Sequence, residues 1–171
     1  MLISEAYREQ NKQLHENPHY GVSGSRYAPI VRLLCDKERT YDVLDYGAGK
    51  CTLQSALGFE IQNYDPCIPG LDEKPRPADI VACIDVLEHI EPDCIDDVLD
   101  DLFRLTKKRA FFVIANRPAK KTLPDGRNAH LIQEGPEWWL PRLMSRWHLA
   151  QFSEVMNKDQ VGGFMVVLRA P

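Results

Sequence analysis

The sequence predicts an α/β fold, a mainly parallel sheet with helices on both faces and an antiparallel edge at the C-terminal end. Three observations predict it. Compact apolar runs such as Ile80-Val81-Ala82-Cys83-Ile84 alternate with helical patterns, as buried parallel strands and their crossover helices do. A glycine turn, Gly47-Ala48-Gly49, stands directly between a strand and a helix. The last two strand-like segments are joined by a short turn, which suits an antiparallel pair.

Each element follows in order. Residues 1 to 20 are polar and carry Tyr7, His15, His19 and Tyr20, and no element is assigned there. Tyr20 to Ser25 is rich in turn formers. Tyr27 to Leu34 reads as a short helix with Ile30, Val31, Leu33 and Leu34 apolar. Asp42 to Tyr46 reads as a strand, and Cys51 to Leu57 as a helix capped by Gly58. Phe59 to Tyr64 alternates apolar and polar side chains, and Asp65-Pro66 ends that strand. Cys67 to Pro77, with Pro69, Gly70, Pro75 and Pro77, is loop. Asp79 to Ile84 is a buried strand.

Pro92 to Thr106 is the clearest helix. Pro92 starts it, and Asp93, Asp96 and Asp97 suit the positive end of its dipole. Ile95, Val98, Leu99, Leu102 and Phe103 share one face. Lys107, Lys108 and Arg109 suit its C-terminus. Ala110 to Ala115 is a strand, followed by a long loop from Asn116 to about Gly135. Pro136 to Trp147 is helical, with Pro141 expected to kink it or delay its start. His148 to Met156 and Gly163 to Arg169 are the final strands, turned by Asn157 to Gly162.

A chain of 171 residues suits one domain, with residues 1–34 as an N-terminal lid and helix region and 40–171 as the core. Its 44% hydrophobic and 27% charged residues are ordinary for a globular protein. A formal charge of -4 and a pI near 5.7 disfavour a nucleic-acid partner, although Lys120, Lys121 and Arg127 make one local basic patch. No apolar run reaches 18 residues and no signal-peptide core is visible, so a cytoplasmic protein with no membrane partner is expected. The five cysteines include no C-x-x-C pair, so neither a disulfide framework nor a zinc site is expected, and no metal constellation stands out.

The chemistry is concentrated at Val43-Leu44-Asp45-Tyr46-Gly47-Ala48-Gly49-Lys50-Cys51. Glycine lets the backbone approach a ligand, and the next helix turns its free N–H groups into the same crevice. Asp45 precedes the first glycine by two, and Asp65 ends the next strand, where a carboxylate can accept hydrogen bonds from ribose hydroxyls.

This run, then Tyr64-Asp65-Pro66, then Ala78-Asp79-Ile80-Val81-Ala82-Cys83-Ile84-Asp85-Val86-Leu87-Glu88-His89-Ile90, resembles the class I S-adenosylmethionine-dependent methyltransferases, small-molecule-type branch. The resemblance covers roughly residues 40 to 116 well. It implies a Rossmann-like sheet and S-adenosyl-L-methionine as cofactor. It places Asp45, Gly47 and Gly49 against the methionine part, Asp65 on the ribose, and Asp85, Val86 and Leu87 beside the cofactor, with His89 facing the acceptor. Two departures stand out. Cys51 occupies the place of a third glycine, and the connection from Asp65 to Asp79 is too short for the usual helix and third strand. The sheet is thus compacted after its second strand, and Ile68, Leu71 or Ile84 is left to contact the adenine.

The resemblance also implies that N-terminal residues cover the cofactor, which makes Tyr20 to Arg26 the candidate lid, with Arg26 expected to pair with the cofactor carboxylate. The loop after Ala115 is long and basic, and its His130 is favoured over His89 as a general base. Trp138, Trp139 and Trp147 read as core more than as a substrate platform. The expected activity is methyl transfer to a hydroxyl or amine of a small molecule or sugar. The rivals are a nucleic-acid or nucleotide acceptor, and a nicotinamide-type or non-catalytic nucleotide-binding protein. The dinucleotide fingerprint would need glycine where Thr52 stands.

Overall fold

The computed structural model describes residues 1–157 and 160–171. Its strands are β1 (Val43–Tyr46), β2 (Gln62–Tyr64), β3 (Ala78–Ile84), β4 (Thr106–Ala115), β5 (His148–Asn157) and β6 (Gln160–Arg169). They form one sheet in the order β2-β1-β3-β4-β6-β5. The first four pair in parallel, and β6 and β5 add an antiparallel edge. Only loop connects β2 to β3, so the compaction read from the short connection is present.

Period-two alternation divides the core between the two faces of the sheet. Leu44, Tyr46, Val81, Cys83, Phe112, Ile114, Phe164 and Val166 pack with α4 (Ile95–Leu105), α5 (Pro136–Met144) and Trp147. Val43, Ile80, Ala82, Ile84, Phe111 and Val113 pack with α2 (Gly24–Glu38) and α3 (Thr52–Leu57). Trp139 and Trp147 are buried core residues, as expected.

Several boundaries differ from the sequence reading. The polar N-terminus holds a helix, α1 (Glu5–His15), with Ser4 Oγ accepting the Tyr7 N–H at 3.2 Å. It buries only Tyr7, so it has no apolar stripe to read. Glu91 anchors its start by accepting from the Ser4 N–H and hydroxyl at 2.8 and 2.7 Å. The second helix runs well beyond Tyr27–Leu34 at both ends.

Lys107, Lys108 and Arg109 belong to β4, not to the end of α4. Thr106 stops the helix by donating its hydroxyl to the Leu102 carbonyl at 2.7 Å. The three basic residues then pair with Asp42, Asp79 and Glu38 across the start of the sheet. Pro141 lies inside α5, which nevertheless begins at Pro136 and stops at Met144. Of the expected final turn, Lys158 and Asp159 lie outside the described residues.

Leu99 is fully buried between α4 and the sheet, whereas Leu33 is 67% exposed. Leu99→Ala should cost about 2–5 kcal/mol and Leu33→Ala no more than about 0.5 kcal/mol, read from urea unfolding midpoints. Equal losses would contradict this packing.

Candidate active site

Parallel strands end at one edge of the sheet, and their carboxyl ends open into a cavity of about 420 Å³. This is the expected ligand crevice of such a sheet, and its volume is typical of small-molecule sites. Asp45, Gly47, Asp65, Ile84, Asp85, Val86, Glu88, His89 and His130 line it, with Tyr7, His15, Tyr20 and Gly21 from the N-terminal segment.

The glycine turn is built by close approach. Gly47 has φ 81°, and a Cβ there would lie 2.4 Å from Val86 Cγ2. Gly49 has φ 52°, and a Cβ there would lie 2.6 Å from the Gly21 oxygen. Gly21 therefore covers Gly49, which does not reach the cavity wall. The Lys50 N–H donates to the Gly21 carbonyl at 2.8 Å, and the Thr52 hydroxyl to that of Val22 at 3.1 Å. Cys51, in the third-glycine position, keeps a left-handed φ of 53°. A side chain there costs roughly 1–2 kcal/mol in backbone strain.

Asp45 is 3% exposed, and its carboxyl makes no ion pair or side-chain hydrogen bond among the described residues. Burial, and then the nearby Asp65 charge, push its carboxyl up to about 7. Asp65 accepts the Gly49 N–H at 3.1 Å on one oxygen and the Cys67 N–H at 3.0 Å on the other. His15 Nε2 stands 3.7 Å from its Oδ2, and burial lowers the pKa of that imidazole.

Beyond β3, Asp85 holds φ 53° and donates its N–H to Val113 at 3.0 Å. Asp85 and Val86 face the cavity, while Leu87 turns into the core. Glu88 is fully buried. Its Oε1 accepts the Ala115 N–H at 2.9 Å, and its Oε2 has no partner among the described residues. Burial, reinforced by Asp85, raises its pKa well above the usual carboxyl range.

The two histidines meet here, ring centroids 4.7 Å apart and edge-on. His89 Nδ1 is 2.7 Å from the Ala129 carbonyl oxygen, and His130 Nδ1 is 2.6 Å from that of Arg117. A carbonyl only accepts, so each Nδ1 carries the proton and each Nε2 keeps a lone pair. Burial, and then His130, lower the His89 pKa to about 3, and burial lowers that of His130 as well. Asn128 fixes the loop beneath His130. Its Oδ1 accepts from the Ala119 and His130 N–H groups, and its Nδ2 donates to the Ala119 carbonyl, each at 2.9 Å.

The fold thus brings Asp45, Gly47, Asp65, Asp85, Val86, His89 and His130 to one cavity. It does not bring Arg26, which is exposed on α2 and lies 5.5 Å from the Tyr27 ring centroid. Of the residues left for the adenine, Ile84 lines the cavity and Ile68 and Leu71 do not. Glu88, His15, Tyr7 and Tyr20 were not assigned to the site from sequence. The adjacency Glu88-His89 was the available signal for the first.

The profile of a methyltransferase-domain family matches residues 19–159. The chain belongs to the class I S-adenosylmethionine-dependent methyltransferases. No protein of curated function matches its sequence. The methyltransferase's fold is shared with 1,6-didemethyltoxoflavin-N1-methyltransferase of Burkholderia thailandensis, solved with S-adenosylhomocysteine. That pair is 18% identical over 96% of this chain and 88% of the other, with a TM-score of 0.64. Magnesium protoporphyrin IX methyltransferase of Synechocystis PCC 6803, solved with S-adenosylmethionine, is 14% identical over 98% and 92%, with a TM-score of 0.63. The methyltransferase domain of the bacterial protein CtHen1-CN is 16% identical over 86% and 99%, with a TM-score of 0.62. No helix among the described residues is long and apolar enough to cross a membrane.

The raised Asp45 carboxyl has a stability consequence. Its folded value lies above the ordinary 3.8, so ionising it disfavours the fold. The cost grows as pH rises from 3.8 to about 7 and is complete above that. Asp45→Asn should therefore raise the urea midpoint at pH 8 and leave it nearly unchanged at pH 4. A lower midpoint at pH 8 would refute the argument.

Proposed function

We propose that this methyltransferase moves the methyl group of S-adenosylmethionine to a hydroxyl or amine of a small molecule, sugars included. The observation that carries the reading is one cavity with two chemically distinct ends. Asp45, the glycine turn and Asp65 stand at one end, and two neutral imidazoles stand at the other. The acceptors in the names of two structural neighbours, 1,6-didemethyltoxoflavin and magnesium protoporphyrin IX, are small molecules, which supports the choice. The acidic net charge supports it against a nucleic acid.

The cavity residues fit the cofactor. Asp45 offers a buried carboxyl without a partner to the cofactor's ammonium group. Gly47, without a Cβ, lets the turn pack against Val86 and brings its backbone to the cavity wall. Each Asp65 oxygen retains acceptor capacity for a ribose hydroxyl after its one backbone bond. Asp85 and Val86 flank the cofactor, Ile84 offers an apolar surface to its adenine, and Leu87 supports this wall from the core. Gly49 contributes through the turn beneath Gly21, and Arg26 stays outside.

The cofactor supplies an electrophilic methyl group on a sulfonium sulfur. The protein's part is alignment of the acceptor, which can be worth about 7–11 kcal/mol in favourable cases. His130 and His89 present their Nε2 lone pairs to the acceptor's reacting group. Both stay neutral through the physiological range because burial lowers their pKa values.

Calorimetry with S-adenosylmethionine tests the cofactor end. Binding to the Asp45 anion requires proton release below pH 7, seen as a dependence of the heat on buffer ionisation enthalpy at pH 6. Affinity should fall toward about tenfold per pH unit below that point. Affinity flat from pH 5.5 to 8 would exclude this role for Asp45.

A screen with labelled methyl donor against small molecules, sugars and RNA tests the acceptor end. His130→Ala should lower turnover by about 10²-fold or more while cofactor affinity stays nearly constant. Full turnover in that variant would remove His130 from catalysis, and labelling of RNA alone would replace the small-molecule reading.

A further inference from the structure

Glu88, His89 and His130 each present one potential ligand atom, and these atoms all lie within 4.8 Å of one another. A single general base would leave the other imidazole and the buried carboxyl without a task. We propose that Glu88, His89 and His130 bind a divalent transition-metal ion of the manganese, iron, cobalt or zinc class, which holds an acceptor hydroxyl oxygen beside the cofactor. The sequence alone suggested no metal. The catalytic part of this proposal rests on the methyl-transfer reading above.

Three features carry it. First, both imidazoles have their Nδ1–H committed to backbone carbonyls, of Ala129 and Arg117. That contact fixes the tautomer with the Nε2 lone pair free, as is usual for a metal-ligating histidine. Second, Glu88 Oε2 is buried without a hydrogen-bond partner among the described residues, although Oε1 is oriented by the Ala115 N–H. A bare buried carboxyl oxygen is costly, and a cation resolves it. Third, the donor set is two nitrogens and one oxygen. Magnesium and calcium favour oxygen ligands, whereas imidazoles with one carboxylate suit zinc or ferrous iron with positions left open. All three residues line the cavity, so those positions face the acceptor.

The ion narrows the acceptor to one bearing a hydroxyl. Bound to the ion, the hydroxyl becomes more acidic and releases its proton to water. The oxygen lone pair forms the O–CH3 bond as the S–CH3 bond breaks, and the electron pair of the broken bond stays on sulfur. The products are the methyl ether and S-adenosylhomocysteine. The histidines then serve as ligands, and neither takes the proton.

The test uses the full chain stripped with chelator and titrated with Co2+, Mn2+ or Zn2+ alone. We expect one ion per chain and a Co2+ visible spectrum free of thiolate charge transfer. Glu88→Gln, His89→Asn and His130→Asn should each weaken binding by at least about tenfold. S-adenosylmethionine affinity, measured on the same samples, should change little. If Glu88→Gln fails to fold, His130→Asn decides the question. No bound ion in the wild type would overturn the proposal, as would undiminished binding in His130→Asn or a thiolate spectrum from Cys67. Methyl transfer unchanged in chelator would overturn the catalytic role. The titration needs neither cofactor nor acceptor, so its failure leaves the methyl-transfer reading standing. Lost cofactor binding with ion binding intact would do the reverse.

Discussion

Asp45 and Glu88 are held out of water where neighbouring parallel strands end, and neither has an ion-pair partner among the described residues. Burying a carboxyl this way costs free energy, and both acids have raised pKa values chiefly for that reason. The rest of the molecule supplies the stability that this arrangement consumes. Two apolar layers, one on each face of the sheet, surround the strand that carries Asp45 and the one that leads into Glu88. A ligand that brings positive charge to either carboxyl recovers part of the cost. The strain thus becomes binding capacity, and it lies at the edge of the sheet where ligands of such folds bind.

The N-terminal segment belongs to that edge. Gly21 lies on Gly49, Lys50 reaches back to donate to the His15 carbonyl at 2.5 Å, and His15 stands beside Asp65. Tyr7 donates to the His89 carbonyl at 2.5 Å, and Tyr20 packs edge-on against both His15 and His89. One short helix therefore touches the Asp65 end of the cavity through His15 and the His89 end through Tyr7. It holds them with hydrogen bonds and aromatic edges more than with apolar area, which is why α1 carries so weak a hydrophobic pattern.

That difference also decides what could be read in the sequence. β1, β3 and the glycine turn were legible because their signals are local: apolar runs, glycines at fixed places, an aspartate at each strand end. Asp45, Gly47 and Asp65 came with them. Lys107 to Arg109 misled because a basic helix terminus and a basic strand start look alike, and only pairing with Asp42, Asp79 and Glu38 separates them. Arg26 was expected at the cofactor as part of an N-terminal lid, but it lies exposed on α2. Leu87 sits between two cavity residues yet faces the core, because the 3-10 turn at 87–89, with about three residues per turn, points its successive side chains in different directions. Glu88 showed only its adjacency to His89, its burial being invisible in sequence, and His15 was illegible because its contact with Asp65 spans a long stretch of chain.

The loop after β4, read in sequence as long and basic, fixes the histidine end of the cavity. Arg117 and Ala129, at its two sides, supply the carbonyls that fix the tautomers of His130 and His89. Ala115, at the end of β4, orients Glu88, and the Ile132 N–H donates to the Glu88 carbonyl at 3.0 Å from the far side of the loop. Asn128 ties the two sides together through three hydrogen bonds. None of these fixing contacts comes from β1, β2 or the glycine turn. The end of the cavity at Asp45 and Asp65 is thus built by the ends of β1 and β2, and the histidine end by the segment after β3 held against one stapled loop. On the proposed function, changes in that loop alter the histidine end while Asp45 and Asp65 stay in place.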